Sequence, residues 1–370
     1  MKILHIADVH LGRGFSDYEN VSETLSEARY ETLERLVGLA QEKQCDMIAI
    51  AGDLFERVSM KKSDVVRAIQ ILNGFERGPV LLLPGNHDYY TSDSKLWKYV
   101  DDAREDHVIV LTEERVYMLD DFDLDVSIYP APCHSKHSSE NTIGWVKDIE
   151  KSKGRHHIGI AHGSVPGVAP DFNDEHYPMT KEELNEAGVD LWLLGHIHVP
   201  WPNQPGTRDG ILYSGTSEPD KGNCPHKGTA LLIDIDDNKN RTVELLETGQ
   251  YRFTRESIEL TDSESFDTFE ASLADEENKC TVCRLKVHGR LTPELHDRWV
   301  QELLPKVREA YLYLKLDDEE LKKKITKKQI KDEFPKESFP EKLLSDLIQD
   351  DDEDALQIAY ELIEEVRDEN

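Results

Sequence analysis

Five short, mainly apolar runs, each ending in a loop that carries Asp, Asn or His, constrain this chain more than any other feature. Ile3–Ala7 leads into Asp8-Val9-His10, Met47–Ala51 into Gly52-Asp53, and Val80–Leu83 into Gly85-Asn86-His87-Asp88. Ile158–Ala161 leads into His162-Gly163, and Leu191–Leu194 into Gly195-His196-Ile197-His198. Such runs, bounded by turn residues, read as strands buried on both faces. Ser22 to Gln44 and Ser63 to Phe75 repeat apolar residues at the three- and four-residue spacing of helices. Strands alternating with amphipathic helices predict an α/β layered fold, whose sites gather past the carboxyl ends of the strands. All five polar clusters fall there.

Further on, Ile211–Tyr213, Thr229–Ile233 and Val243–Leu246 read as strands joined by polar turns, so this part is expected to be more antiparallel. The expectation for 1–253 is two sheets packed face to face with helices outside. Composition shifts near Thr254. Helix, strand, helix, strand then follow in Phe266–Leu273, Thr281–Val287, Pro293–Arg308 and Tyr311–Leu316, a small α+β domain over 254–320. The last segment, 321–370, turns Lys-rich and then acidic at Asp350–Asp354, with helical patterns at Glu341–Gln349 and Asp354–Val366. A length of 370 residues accords with more than one core.

With 38% hydrophobic and 32% charged residues, no stretch approaches a membrane span. The amino-terminal apolar run meets Asp8 before a signal-peptide core could form, so a cytoplasmic protein is expected. Five cysteines without an export signal imply reduced thiols, and Cys280 and Cys283 read as buried small hydrophobes rather than half of a zinc site. The net charge of -31 points away from a nucleic-acid partner unless bound cations invert the charge of a carboxylate-lined cleft.

Singly, D-x-H or H-x-H is an ordinary capped turn or surface pair; five such clusters in this order point to phosphoester chemistry. Hydrolysis of a phosphodiester must align nucleophile and leaving group while neutralising the phosphoryl oxygens, and two metals roughly 3.5–4 Å apart do both. They need a shared anionic ligand, which a carboxylate such as Asp53 can supply. Gly52, Gly85, Gly163 and Gly195 allow sharp turns and close approach of phosphate.

D-x-H, G-D, G-N-H-D, H-G and G-H-x-H in this order resemble the motif set of the calcineurin-like metallophosphoesterases over roughly residues 1–250. The resemblance implies that Asp8, His10 and His198 hold one metal, that Asn86, His162 and His196 hold the other, and that Asp53 bridges them. It implies that His87 is not a ligand but the general acid or transition-state stabiliser, oriented by Asp88. Within the superfamily the chain is most similar to the SbcD-type repair nucleases, the relatives of meiotic recombination eleven. Its opening through Gly12, Ala51-Gly-Asp-Leu-Phe55, Leu83-Pro-Gly-Asn-His-Asp88 and Leu194-Gly-His-Ile-His198 match that family's wording around the ligands. Tyr213-Ser-Gly-Thr-Ser-Glu218 followed by Lys227-Gly228 matches more loosely.

That resemblance implies manganese, 3'-5' double-strand exonuclease and single-strand endonuclease activity, a DNA-capping second domain, a homodimer, and an SMC-like coiled-coil ABC ATPase of the SbcC type as partner. Two positions depart from it. Glu56 stands where the family often has His or Asp, and Pro219-Asp220-Lys221 follows Glu218 where basic residues are expected. The residues themselves suit manganese, iron or zinc better than magnesium or calcium.

Other features have plainer readings: His134 and His137 as polar loop residues, His156 and His157 as locally hydrogen-bonded, Trp192 as core. The last two helices carry apolar faces at Phe339, Leu343, Leu344 and Leu347, then Leu356, Ile358, Ala359, Leu362 and Ile363. They are expected to lie on the ATPase's coiled coil or back on the chain's own body. A nucleotide or protein phosphatase with the same metals, and a non-catalytic scaffold that keeps them, are the rival functions.

Overall fold

The first apolar run becomes β1 (Lys2–Ile6), which pairs in parallel with β2 (Met47–Ala51); β3 (Val80–Leu83) and β4 (Val108–Val110) continue the parallel sheet. The chain then builds a second sheet from β5 (Tyr117–Met118), β6 (Val126–Ala131), β7 (His156–His162), β8 (Leu191–Gly195) and β9 (Ile211–Tyr213), parallel except at β5. It returns to the first sheet with β10 (Thr229–Ile235), antiparallel to β1, and β11 (Arg241–Glu247), antiparallel to β10. The computed structural model describes residues 1–152, 154–168, 175–203, 210–221, 224, 226–350 and 352–368; Asp351 of the acidic run lies outside them.

Side-chain alternation decides what each strand face covers. Ile3, Met47, Ala49, Leu81 and Leu83 meet Ile158, Ile160, Leu191 and Leu193 between the two sheets. Their neighbours Leu4, Ile6, Ile48, Ile50 and Leu82 pack under α1 (Ser22–Glu42), α2 (Lys62–Asn73) and α3 (Lys95–Ala103). On the far side of the second sheet, Tyr129, Trp192 and Tyr213 pack with Val146 of α4 (Gly144–Asp148) and Leu184 of α5 (Lys181–Glu186). This is the expected two-sheet α/β sandwich flanked by helices. One strand differs from expectation: Ile211–Tyr213 runs parallel to β8, and the antiparallel pairings of the sandwich involve β10, β11 and the short β5, with a single bridge between Trp201 and Tyr213.

The chain divides into two units, Met1–Thr254 with Cys280–Val282, and Arg255–Lys279 with Cys283–Asn370. The second is organised by a sheet of β12 (Arg252–Leu260), β13 (Thr281–Leu291) and β14 (Tyr313–Asp317), with β15 (Leu321–Lys323) parallel to β13. α6 (Ser263–Ser272), α7 (Pro293–Arg298) and α8 (Leu304–Ala310) close over it around Phe266, Leu285, Trp299 and Leu303. The helix predicted through Pro293–Arg308 runs without a gap to Ala310 but carries a π segment at Trp299–Leu303, next to Pro305, which offers no N–H to the preceding turn. Cys283 is buried as expected, but Cys280 is exposed.

The last helices, α9 (Lys327–Glu333), α10 (Phe339–Gln349) and α11 (Glu353–Asp368), share a small core of Ile325, Ile330, Phe334, Leu344 and Leu356. The predicted apolar faces are thereby divided. Leu344, Leu356, Ala359 and Ile363 turn inward, while Phe339, Ile358 and Leu362, with Val366, stay exposed. Among the described residues no helix is long and apolar enough to cross a membrane.

Candidate metal centre

The loops past β1 and β2 are zipped together by backbone hydrogen bonds: Asp8 N–H to Gly52 C=O at 3.2 Å, His10 N–H to Asp53 C=O at 3.0 Å, Leu11 N–H to Leu54 C=O at 2.9 Å. Within this frame Asp8, His10 and Asp53 adopt φ of 54°, 52° and 54°, and His196, across the site, has φ 97°. Each non-glycine residue held there stores about 1–3 kcal/mol of strain, which persists only where the surroundings over-determine it. Four of the seven predicted ligands are so held.

The ligand atoms of Asp8, His10 and His198 lie within 4.8 Å of one another, with His10 Nε2 and His198 Nε2 3.1 Å apart. A second group forms around Asn86 Oδ1, which is 3.0 Å from His162 Nε2 and 3.3 Å from His196 Nδ1. Asp53 stands between the two. Its Oδ2 is 3.7 Å from His10 Nε2 and 3.3 Å from His162 Nε2, and its Oδ1 accepts the His87 backbone N–H at 2.8 Å. Burial alone would push the Asp53 carboxyl up, but His162 and His10 reverse this and hold it well below the usual carboxylate range. Burial pulls His162 down, yet Asp53 outweighs it and lifts this imidazole to about 9. Burial, assisted by His162, brings His196 down to about 3.

Divalent cations fit this donor set because the histidines are oriented from outside. His162 Nδ1 lies 2.9 Å from the Ala51 carbonyl, so one proton stays on Nδ1 and Nε2 is turned inward, where a cation would take the place of its second proton. His10 Nδ1 lies 3.0 Å from Glu56 Oε2, and His198 Nδ1 lies 3.3 Å from Asp220 Oδ2. His10 Nε2 and His198 Nε2 then face each other inside the protein, where one must carry a proton toward the other unless a cation takes its place. Asn86 is oriented likewise: its Nδ2 donates to the Lys136 carbonyl at 3.3 Å, turning Oδ1 to the site.

His87 stands edge-on to His10, ring centroids 4.9 Å apart, and its Nδ1 meets the Glu56 carbonyl at 3.0 Å. Asp88 does not orient it as expected. The buried Asp88 carboxylate accepts instead from Gly85 N–H at 2.7 Å and Phe55 N–H at 3.0 Å, tying the two loops together. The loop with His134 and His137 borders the centre: His137 stacks near His176 at 5.4 Å, and His176 near His196 at 4.9 Å. Sequence reasoning missed Glu56 and Asp220 as supports of the site. Both were visible only as departures from a family pattern, and their partners are brought to them by the fold.

Residues 1–200 match the calcineurin-like phosphoesterase family. Over 206 residues the chain is 25% identical to the uncharacterized metallophosphoesterase YhaO of Bacillus subtilis (strain 168), covering 54% of this chain and 48% of that protein. It is 27% identical over 216 residues to the DNA double-strand break repair protein Mre11 of Archaeoglobus fulgidus, covering 54% of this chain and 46% of that one. The Mre11 of Methanopyrus kandleri is 26% identical over 229 residues, 59% of this chain and 49% of its own. The chain spans about half the length of the curated relatives it matches. The family match covers more than half of the chain and contains all seven converging side chains, Asp8 through His198; the protein belongs to the calcineurin-like metallophosphoesterases.

Proposed function

We propose that this phosphoesterase is a manganese-dependent DNA nuclease, 3'-5' on double strands and endonucleolytic on single strands. It acts in the cytoplasm in double-strand-break repair, as a homodimer with an SMC-like ABC ATPase of the SbcC type. The observation that carries the chemistry is the position of Asp53 Oδ2 between the His10 and His162 donors, the place a ligand shared by two cations must occupy. Asp8, His10 and His198 would hold one ion and Asn86, His162 and His196 the other. Bound cations supply polarisation and charge neutralisation of the phosphoryl group. The protein's own part is to orient: Glu56 and Asp220 fix two imidazoles, and the Glu56 carbonyl aims His87, whose far nitrogen serves the leaving oxygen. Preference for DNA rests on the two relatives named as break-repair proteins and on the 254–320 segment as a DNA cap.

One observation favours a second reading, a phosphodiesterase or phosphatase acting on nucleotides or phosphoproteins: the net charge of -31. The test compares manganese-dependent hydrolysis of linear double-stranded DNA, a chromogenic phosphodiester and a chromogenic phosphomonoester, using wild type, Asp53→Ala and His87→Gln. DNA cleavage that both variants lose supports the nuclease. Cleavage of small esters alone, with and without the ATPase, moves the protein to the second reading.

A further inference from the structure

Outside the ligand set, Arg13 reaches both carboxylates that orient the histidines of the first site. Arg13 Nη1 lies 3.2 Å from Glu56 Oε2, the oxygen that is 3.0 Å from His10 Nδ1. Its Nη2 lies 3.2 Å from Asp220 Oδ2, the oxygen that is 3.3 Å from His198 Nδ1. Since His10 and His198 themselves meet at 3.1 Å, the five groups close into a ring: His10, Glu56, Arg13, Asp220, His198. Asp220 is almost wholly enclosed, whereas Glu56 and Arg13 keep 20% and 24% of their side chains open to solvent.

We infer that Arg13 is the positioning residue of the Asp8, His10 and His198 site: its fork sets the separation of the two carboxylates and, through them, of the two imidazoles. The guanidinium hydrogen-bonds Glu56 through Nη1 and sets Nη2 at ion-pair distance from Asp220, so one planar side chain spans two carboxylates at once, which a compact ammonium does less well. It also balances two carboxylates that would otherwise repel each other beside a third, Asp8. Behind the second group the Ala51 and Lys136 carbonyls do the orienting instead. The two sites therefore differ in their dependence on Arg13.

This inference rests on the two-metal reading, and the experiment separates the two. Manganese binding to the full chain is followed by electron paramagnetic resonance and calorimetry for wild type, Arg13→Gln and Arg13→Lys, with thermal unfolding of the metal-free proteins as the folding control. Wild type is expected to bind two ions. Arg13→Gln is expected to weaken one of them by about 10- to 100-fold, the range for loss of an outer-shell partner, and to leave the other unchanged. Arg13→Lys is expected to recover part of the loss. Two ions bound as in wild type by Arg13→Gln, or an equal loss at both sites, overturns the role of Arg13; a wild type that binds no manganese overturns the metal reading itself. Should Arg13→Gln not fold, the same comparison is read from Arg13→Lys alone, for which wild-type affinity at both sites is the overturning result.

Discussion

Gly85 lies so close beneath Asp53 that a Cβ on it would come within 2.3 Å of Asp53 Oδ1 and 2.4 Å of its backbone nitrogen. The contact is with backbone as well as side chain, so it cannot be relieved by a rotamer change. Gly85→Ala is expected to shift the carboxylate between the ligand groups and to cost roughly a hundredfold or more in metal-dependent hydrolysis, the scale of misplacement near 1 Å. Gly14→Ala, where a Cβ meets nothing within 4 Å, is the matched control. Wild-type kcat/KM for Gly85→Ala would show that the loop yields.

Arg29 is fully buried beneath the same loops, donating to the Val9 carbonyl at 2.6 Å and the Glu218 carbonyl at 3.1 Å. Burial brings its guanidinium down only to about 10, so it stays charged at neutral pH and serves Asp220 and Glu218 nearby. Arg29→Ala leaves the buried Val9 and Glu218 carbonyls without their donor and removes one of the cations near Asp220, and each buried group so left costs about 1–3 kcal/mol. Urea unfolding should register it; a change below about 1 kcal/mol, the size of an ordinary surface substitution or less, would mean that solvent takes over the role.

His5 points into the dry layer between the sheets, where its ring nitrogens make no well-formed hydrogen bond among the described residues. Burial lowers its pKa from 6.5 to about 3, with only the Leu194 backbone opposing. The unfolded chain therefore takes up a proton below 6.5 that the folded one refuses. Stability from this group is full above pH 6.5 and falls as pH drops toward 3, by up to about 1.4 kcal/mol per pH unit. His5→Leu should flatten the dependence of melting temperature on pH between 6.5 and 4 relative to wild type. Parallel curves would assign the acid sensitivity elsewhere.

On α11, Ile358, Leu362 and Val366 repeat every fourth residue and stay exposed, flanked by Glu361 and Glu365. Under the proposed function this stripe would meet the ATPase, so Ile358→Asp with Leu362→Asp should leave the melting temperature of the isolated chain unchanged. The same pair should abolish co-purification with an SMC-like ATPase, and retained capture would place the partner on another surface.

What could be read from sequence was what repeats locally. β1, β2, β3, β7, β8, α1 and α2 follow from apolar spacing alone, as do the loops that bring Asp8, Asp53, Asn86, His162 and His196 together. β6 escaped because Pro130 sits inside it, a mark against a central strand. The fold tolerates it because the neighbouring β5 reaches only Ser127 and Ile128, leaving that edge of the strand open at Pro130. The direction of β9 escaped because three apolar residues carry no information about parallel or antiparallel pairing. Glu56 and Asp220 escaped for a different reason: a carboxylate that orients a histidine has no spacing rule when the two lie on separate loops.

Asp8, His10, Asp53 and Asn86 follow strands of one sheet, while His162, His196 and His198 end or follow strands of the other. A cation held by both sets is then a rivet through the seam of the sandwich. Its occupancy adds to the melting temperature of the whole domain, since any ion bound only by the folded state stabilises it. The same linkage offers a rescue: a methyl group lost deep in the seam, at Leu81 or Leu193, lowers the melting temperature of the domain, and added ion raises it again although neither residue touches a ligand.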